Sequence, residues 1–184
     1  MTEPIKSVRR IVTIDDASGR SIAAADGPSP DMRTDPARPG FASTRIWVTD
    51  SSPARIEKSF RDALLSSHML VPPPRGSLCR IVTIPPDASW RGKVGASDVA
   101  VFFRIMGAGR ASTFSSRAPH PYMQETATLD FCLILEGEVT LVLDTEEVAL
   151  AAGDTVVQRG TNHAWSNRSD RPCRIAISSH DAAG

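Results

Sequence analysis

The chain has 184 residues, 41% of them hydrophobic, which is enough for one well-buried domain and short for two. Lysine plus arginine equals aspartate plus glutamate at 21 each, and no basic run or aromatic-basic interleaving occurs, so a nucleic-acid partner is not expected. No apolar run approaches the roughly 20 residues of a membrane span, Met1 to Lys6 lack the apolar core of a secretory leader, and Cys79, Cys132 and Cys173 are spaced for neither a disulfide framework nor a thiolate zinc site. A cytoplasmic protein with buried free thiols and no membrane partner is expected.

Arg9 to Ile14 and Ser21 to Ala25 are β-prone runs around the turn-rich Asp15-Asp16-Ala17-Ser18-Gly19. They predict a hairpin that covers an edge or swaps onto a partner subunit. Four prolines make 27–40 an irregular loop. Thr44 to Thr49 is a strand carrying Trp47, and Phe60, Leu64 and Leu65 have the spacing of a short helix within Glu57 to His68. Leu78 to Ile84 is the next strand, bounded by Pro72 to Pro74 and by Pro85-Pro86. Asp98 to Met106 predicts a helix with Ser97 as N-cap and Gly107 as stop. Its stripe of Val99, Phe102, Phe103 and Met106 either caps the fold or meets a ligand, for which Phe103 is the candidate. The Gly/Ser-rich 107–121 has the composition of an entrance loop.

Met123 to Asn167 organises the rest. A strand from Met123 to Asp130 runs on through Phe131 to Leu135, Glu136-Gly137-Glu138 is a tight turn, and further strands follow at Val139 to Leu143, Val148 to Ala151 and Gly153 onward. Short β-rich runs punctuated by Gly and Asp are the signature of an antiparallel sandwich or barrel. Leu133 and Trp165 are expected to face the core.

From Gly153 to Asn167 the sequence resembles the second motif of the cupin superfamily: Gly153-Asp154 opens it, Gly160 supplies the turn, His163 follows after two residues and Asn167 closes it. Gln158 stands where that family usually has Pro, and the run is one residue short. The family's first motif has His-x-His, then Glu, then Gly; here Gln124, Thr126 and Asp130 hold the first three places and Gly137 the last. Met123-Gln124-Glu125-Thr126, Leu135-Glu136-Gly137-Glu138 and Gln158 to Arg168 further resemble small single-domain cupins of bacteria and of fungal secondary-metabolite pathways. The resemblance implies an all-β, cupin-type antiparallel β-barrel (double-stranded β-helix, jelly roll) with short helices in the N-terminal half. It implies one domain over 1–184, with 1–120 as extension, edge strands and entrance loops and 121–180 as core motifs. It also implies a small-molecule ligand, and a homodimer is expected.

Alternate residues of a strand share a face, so Gln124, Thr126, Thr128 and Asp130 are expected on one face and His163, Trp165 and Asn167 on another. One imidazole, one carboxylate and an amide are a poor set for a transition metal, so no cofactor is expected and a bound divalent metal is the alternative. An imidazole near neutrality takes or gives a proton, which makes His163 the general acid/base candidate. Asp130 orients it, binds a substrate hydroxyl or caps its own turn. Gln124, Thr126 and Trp165 are candidates for binding substrate; Arg159 is a candidate for a carboxylate, or else a surface arginine like Arg168. His120 beside Pro121 is expected to be solvated, and His68 and His180 have no assigned role. The function expected is proton-transfer chemistry on a polyketide-like or aromatic metabolite. A binding or sensing module and a metal-dependent oxygenase or decarboxylase are the alternatives.

Overall fold

A computed structural model of the chain describes residues 5–183; of the N-terminal stretch examined for a leader, residues 1–4 lie outside it. Eleven strands and one α-helix follow in order: β1 Arg9–Asp15, β2 Ser21–Pro28, β3 Met32–Thr34, β4 Ala42–Thr49, β5 Ser77–Ile84, α1 Ala96–Ile105, β6 Thr128–Glu136, β7 Glu138–Val142, β8 Glu147–Ala151, β9 Thr155–Arg159, β10 Ala164–Ser166 and β11 Cys173–Asp181. A six-stranded sheet has the order β3-β4-β5-β11-β6-β9 and a three-stranded sheet the order β10-β7-β8. Every pairing is antiparallel.

The two sheets share one core. Val82, Ile134, Ile175 and Ile177 from the larger sheet meet Val139, Leu141 and Trp165 from the smaller, and α1 adds Val99, Phe102, Phe103 and Met106. The β6–β7 corner is tight because Gly137 has a φ of 77°, and a Cβ there would lie 2.9 Å from the Pro172 carbonyl oxygen. That combination requires glycine. The β1–β2 hairpin pairs only with itself, and a buried Arg10 ties it to Asp62 by two hydrogen bonds of 3.0 and 2.5 Å.

Several expectations need correction. The first-motif strand does not run from Met123: Gln124 makes an isolated bridge to His163 and to Ser112, the backbone bends at 127, and β6 starts only at Thr128. The side chains of 124 to 130 therefore do not form one continuous face. Leu133 faces outward and is 39% exposed, beside Phe131 at 49%, while Cys132 and Ile134 point to the core. Thr128 and Asp130 take inward positions as expected, and the alternation that follows from them turns Leu133 outward, one residue away from the register expected for it. The expected helix between Glu57 and His68 is a single 3-10 turn at Ala63–Leu65. Helix α1 is capped at Gly95, whose N–H donates to Asp98 Oδ2 at 2.9 Å, instead of at Ser97. No strand was expected after Asn167, yet β11 sits at the middle of the larger sheet between β5 and β6.

Candidate functional site

Between the sheets lies a cavity of about 50 Å³, with Gln124, Trp165, Phe102 and Met106 in its wall. One water needs roughly 10–15 Å³ of such space, so the cavity holds a few waters or a ligand of a few heavy atoms. Trp165 is aimed inward by β10, where it pairs with Leu141 of β7. Phe102 and Met106 come from one face of α1, three and four residues apart in the helical repeat with their neighbours Val99 and Phe103. Phe103 is buried at an edge-to-face contact with Phe102, centroids 5.0 Å apart, and is not in the wall. Of the two α1 aromatics, it is Phe102 that meets the cavity.

His163 is buried behind Gln124. Its backbone exchanges hydrogen bonds with Gln124, N to O at 2.9 Å and O to N at 2.8 Å, so the two motifs are locked together at this pair. The ring Nδ1–H donates to the Thr161 carbonyl at 2.9 Å. That bond fixes the tautomer and leaves the Nε2 lone pair to accept from the Gln124 amide at 3.3 Å. Burial is the largest influence on the imidazole and pushes its pKa below the ordinary 6.5, against the Thr161 hydrogen bond and the Asp130 charge, which favour the protonated form. At neutral pH the ring is therefore a neutral base. Trp165 meets it edge to face, centroids 5.9 Å apart.

Asp130 does not orient the imidazole. It points inward, Oδ1 has no hydrogen-bond partner, and Thr161 does the orienting. Thr126 lies outside the cavity wall, its hydroxyl hydrogen-bonded to that of Thr128 at 2.8 Å. Arg159 is exposed on the outer side of β9 because the inward position is taken by Gln158. Arg168 forms a surface pair with Glu147 at 2.5 Å. His120 is fully buried where solvation was expected: it stacks against Trp90 and Tyr122, its Nδ1 accepts from the Tyr122 N–H at 3.2 Å, and its Nε2 is 3.7 Å from Asp87. Asp87 in turn accepts from the Ser166 hydroxyl and the Asn167 N–H, so the last residue of the second motif anchors a neighbouring turn.

Two cavity residues escaped the sequence reading. Arg38 lies in the proline-rich 27–40, which was read as an irregular loop, and its guanidinium stacks over Tyr122 at 3.5 Å, Phe41 at 4.1 Å and Phe102 at 4.4 Å. Arg80 lies in β5, where it is the single charge in an otherwise apolar and small strand, at an inward position between Leu78 and Val82. That lone charge on a buried face was a usable signal.

The donor set does not fit a transition metal. Three converging N, O or S donors are needed, and among the described residues no group of three His, Cys, Asp or Glu side chains comes together. Gln124 and Thr126 stand at the two positions where the cupin pattern has imidazoles.

Two packed antiparallel sheets with a buried imidazole define the class: a jelly-roll β protein. Residues 117–179 match the family described as Cupin domain. It is 29% identical over 173 residues, 90% of this chain and 73% of the relative, to "Phomopsin biosynthesis cluster protein C'" of Diaporthe leptostromiformis. It is 46% identical over 50 residues, 27% of this chain and 28% of the relative, to "Oryzines biosynthesis cluster protein J" of Aspergillus oryzae. Among solved structures, a putative ethanolamine utilization protein of Salmonella typhimurium matches with a TM-score of 0.45 at 10% identity, covering 97% of this chain and 99% of that one. Among the described residues no helix is long and apolar enough to cross a membrane.

Proposed function

We propose that the chain is a secondary-metabolite cupin that takes a small molecule between its sheets and moves a proton on it with His163. The observation that carries this is the neutral, buried imidazole whose Nε2 lone pair points to Gln124 at the cavity wall. A ligand hydroxyl or acidic C–H that displaces the Gln124 amide from Nε2 would meet a base in a water-poor site, which suits dehydration, isomerisation, cyclisation or decarboxylation. The freed Gln124 amide can then donate to a ligand oxygen as a neutral hydrogen-bond donor. The likeness to proteins named for fungal biosynthesis clusters supports a metabolite of that kind as ligand.

One observation favours the second reading, a non-catalytic binding module: Gln124 stands between the imidazole and the cavity in the resting chain. The test starts from whatever small molecule is extracted from denatured protein and identified by mass spectrometry. Wild type should convert it, and His163→Asn should slow turnover by on the order of 10² to 10⁴ with binding kept, the usual contribution of general acid/base catalysis. A wild-type protein that binds the molecule and returns it unchanged over hours leaves the binding module. We also propose a homodimer, since C2 pairing is the commonest oligomer; sedimentation equilibrium giving one chain mass refutes it.

A further inference from the structure

Three buried donors without acceptors meet at the same cavity. Arg80 is 4% exposed, and its Nη1 donates to the Leu70 carbonyl while its Nε has no partner. Among the described residues Arg80 forms no salt bridge, and the carboxylate that acts on it most strongly, Asp130, is outside the cavity wall with its own Oδ1 unpartnered. Arg38 spends Nε on Asp35 at 2.7 Å, and the same carboxylate oxygen accepts from the Tyr122 hydroxyl at 2.9 Å; Nη2 is left without a partner. Ser43 is fully buried with an unpartnered Oγ. Arg38, Arg80 and Ser43 all line the cavity, whose remaining wall is mostly apolar.

A guanidinium donates and never accepts, so two of them beside a hydroxyl leave the cavity short of acceptors. Burying an unpaired donor or charge is unfavourable, and three at one small void call for an occupant. Arg38 is already matched by Asp35, which leaves Arg80 as the one guanidinium in the wall without an ion-pair partner. A single negative charge answers it, and a carboxylate offers two oxygens that fit the planar fork of a guanidinium.

We propose that the cavity takes a small monocarboxylate with a compact apolar body, its oxygens received by Arg80, Arg38 and Ser43. Because this rests on the small-molecule role proposed above, it names the substrate class of the same site. The carboxylate end is held by the arginines, and the reacting end would meet Gln124 in the wall, with His163 behind it.

The experiment pairs each acid with its neutral isostere. Acetate, propionate, butyrate and benzoate are titrated into purified protein against acetamide, propionamide, butyramide and benzamide, with binding read by calorimetry and by the shift in melting temperature. At least one acid should bind saturably and its amide at least about tenfold more weakly, a loss of 1.4 kcal/mol. Arg80→Met should abolish the discrimination while keeping the melting temperature of the ligand-free protein, since it removes a buried charge that lacks a close partner. Arg80→Lys should keep part of the affinity. Equal binding of acid and amide, or no binding by any acid, overturns the proposal. So does a large drop in the ligand-free melting temperature of Arg80→Met, which would mean that Arg80 is bridged through water to Asp130 as a structural pair. Acid binding with no turnover in the His163 experiment would sink proton transfer and leave the carboxylate site standing.

Discussion

Strand β6 has two faces that differ in the opposite sense from a common sheet. Its inner face begins with Thr128 and Asp130, and its outer face carries Phe131, Leu133 and Leu135, continued by the exposed Val157 of β9 and by the Phe131–His180 contact to β11. Only further along do Cys132 and Ile134 restore apolar residues inside. Polar groups at inward positions are unfavourable in an interior that has nothing to bind, and apolar groups on the outer face gain nothing from water. The inward polar positions lie on the stretch of β6 that is electrostatically coupled to His163 and Arg80, beside the cavity proposed above to take a ligand.

The largest expected effect sharpens this contrast directly. Ile134→Ala should lower stability by about 2–5 kcal/mol, as a large-to-small change in a full core, and the neighbouring Leu133→Ala by about 1 kcal/mol or less, since the side chain already meets solvent. Chemical denaturation of both variants decides it; equal losses would place Leu133 in the core and remove the inversion.

A smaller effect reads the interior by pH. His68, His120 and His163 are all pushed below the ordinary 6.5, burial being the first cause for each. The unfolded chain binds protons near pH 6.5 while these folded sites resist them, so stability is fully present above about pH 6.5 and is lost as the pH falls below it. Melting temperature should fall steadily from about pH 7 to about pH 5. A flat profile would mean that these rings are already hydrated. Cys132 and Cys173, whose pKa values burial raises to about 12, should resist alkylation in the native state at pH 8.

The smallest effect concerns metal. Purified untagged protein should hold well under one equivalent of Fe, Mn, Ni, Cu or Zn by elemental analysis, and Gln124→His, which adds an imidazole beside His163, should raise divalent-ion affinity measurably. A stoichiometric metal lost on His163→Ala would overturn the donor-set argument.

Strands β6 to β9 were legible because Gly137, Gly153 and Gly160 mark turns with positive φ and the runs between them are short and β-rich. Helix α1 was legible from the spacing of Val99, Phe102, Phe103 and Met106, missing its start by two residues. Strand β11 was not, although Cys173, Ile175 and Ile177 alternate, because its two neighbours β5 and β6 are distant in sequence and only the closed sheet shows the need for a strand between them. The site was half legible. His163, Gln124 and Trp165 stood out as a local pattern, whereas Arg38 arrives from a proline-rich loop held by stacking on Tyr122, a contact that no local periodicity encodes. Leu133 was misplaced because an apolar residue was assigned inward, although Thr128, Asp130, Cys132 and Ile134 hold the inward positions of the same strand.

The central claim, that the inverted interior is the working face, is tested most directly by watching the His163 ring. The side-chain ¹⁵N signal of His163 Nε2 should shift saturably as the best-binding carboxylate is added, as Gln124 is displaced, while methyl signals of Leu133 and Val157 on the outer face stay still, and Arg80→Met should erase the shift. Outer-face signals that move with the ligand while the His163 nitrogen does not would contradict it.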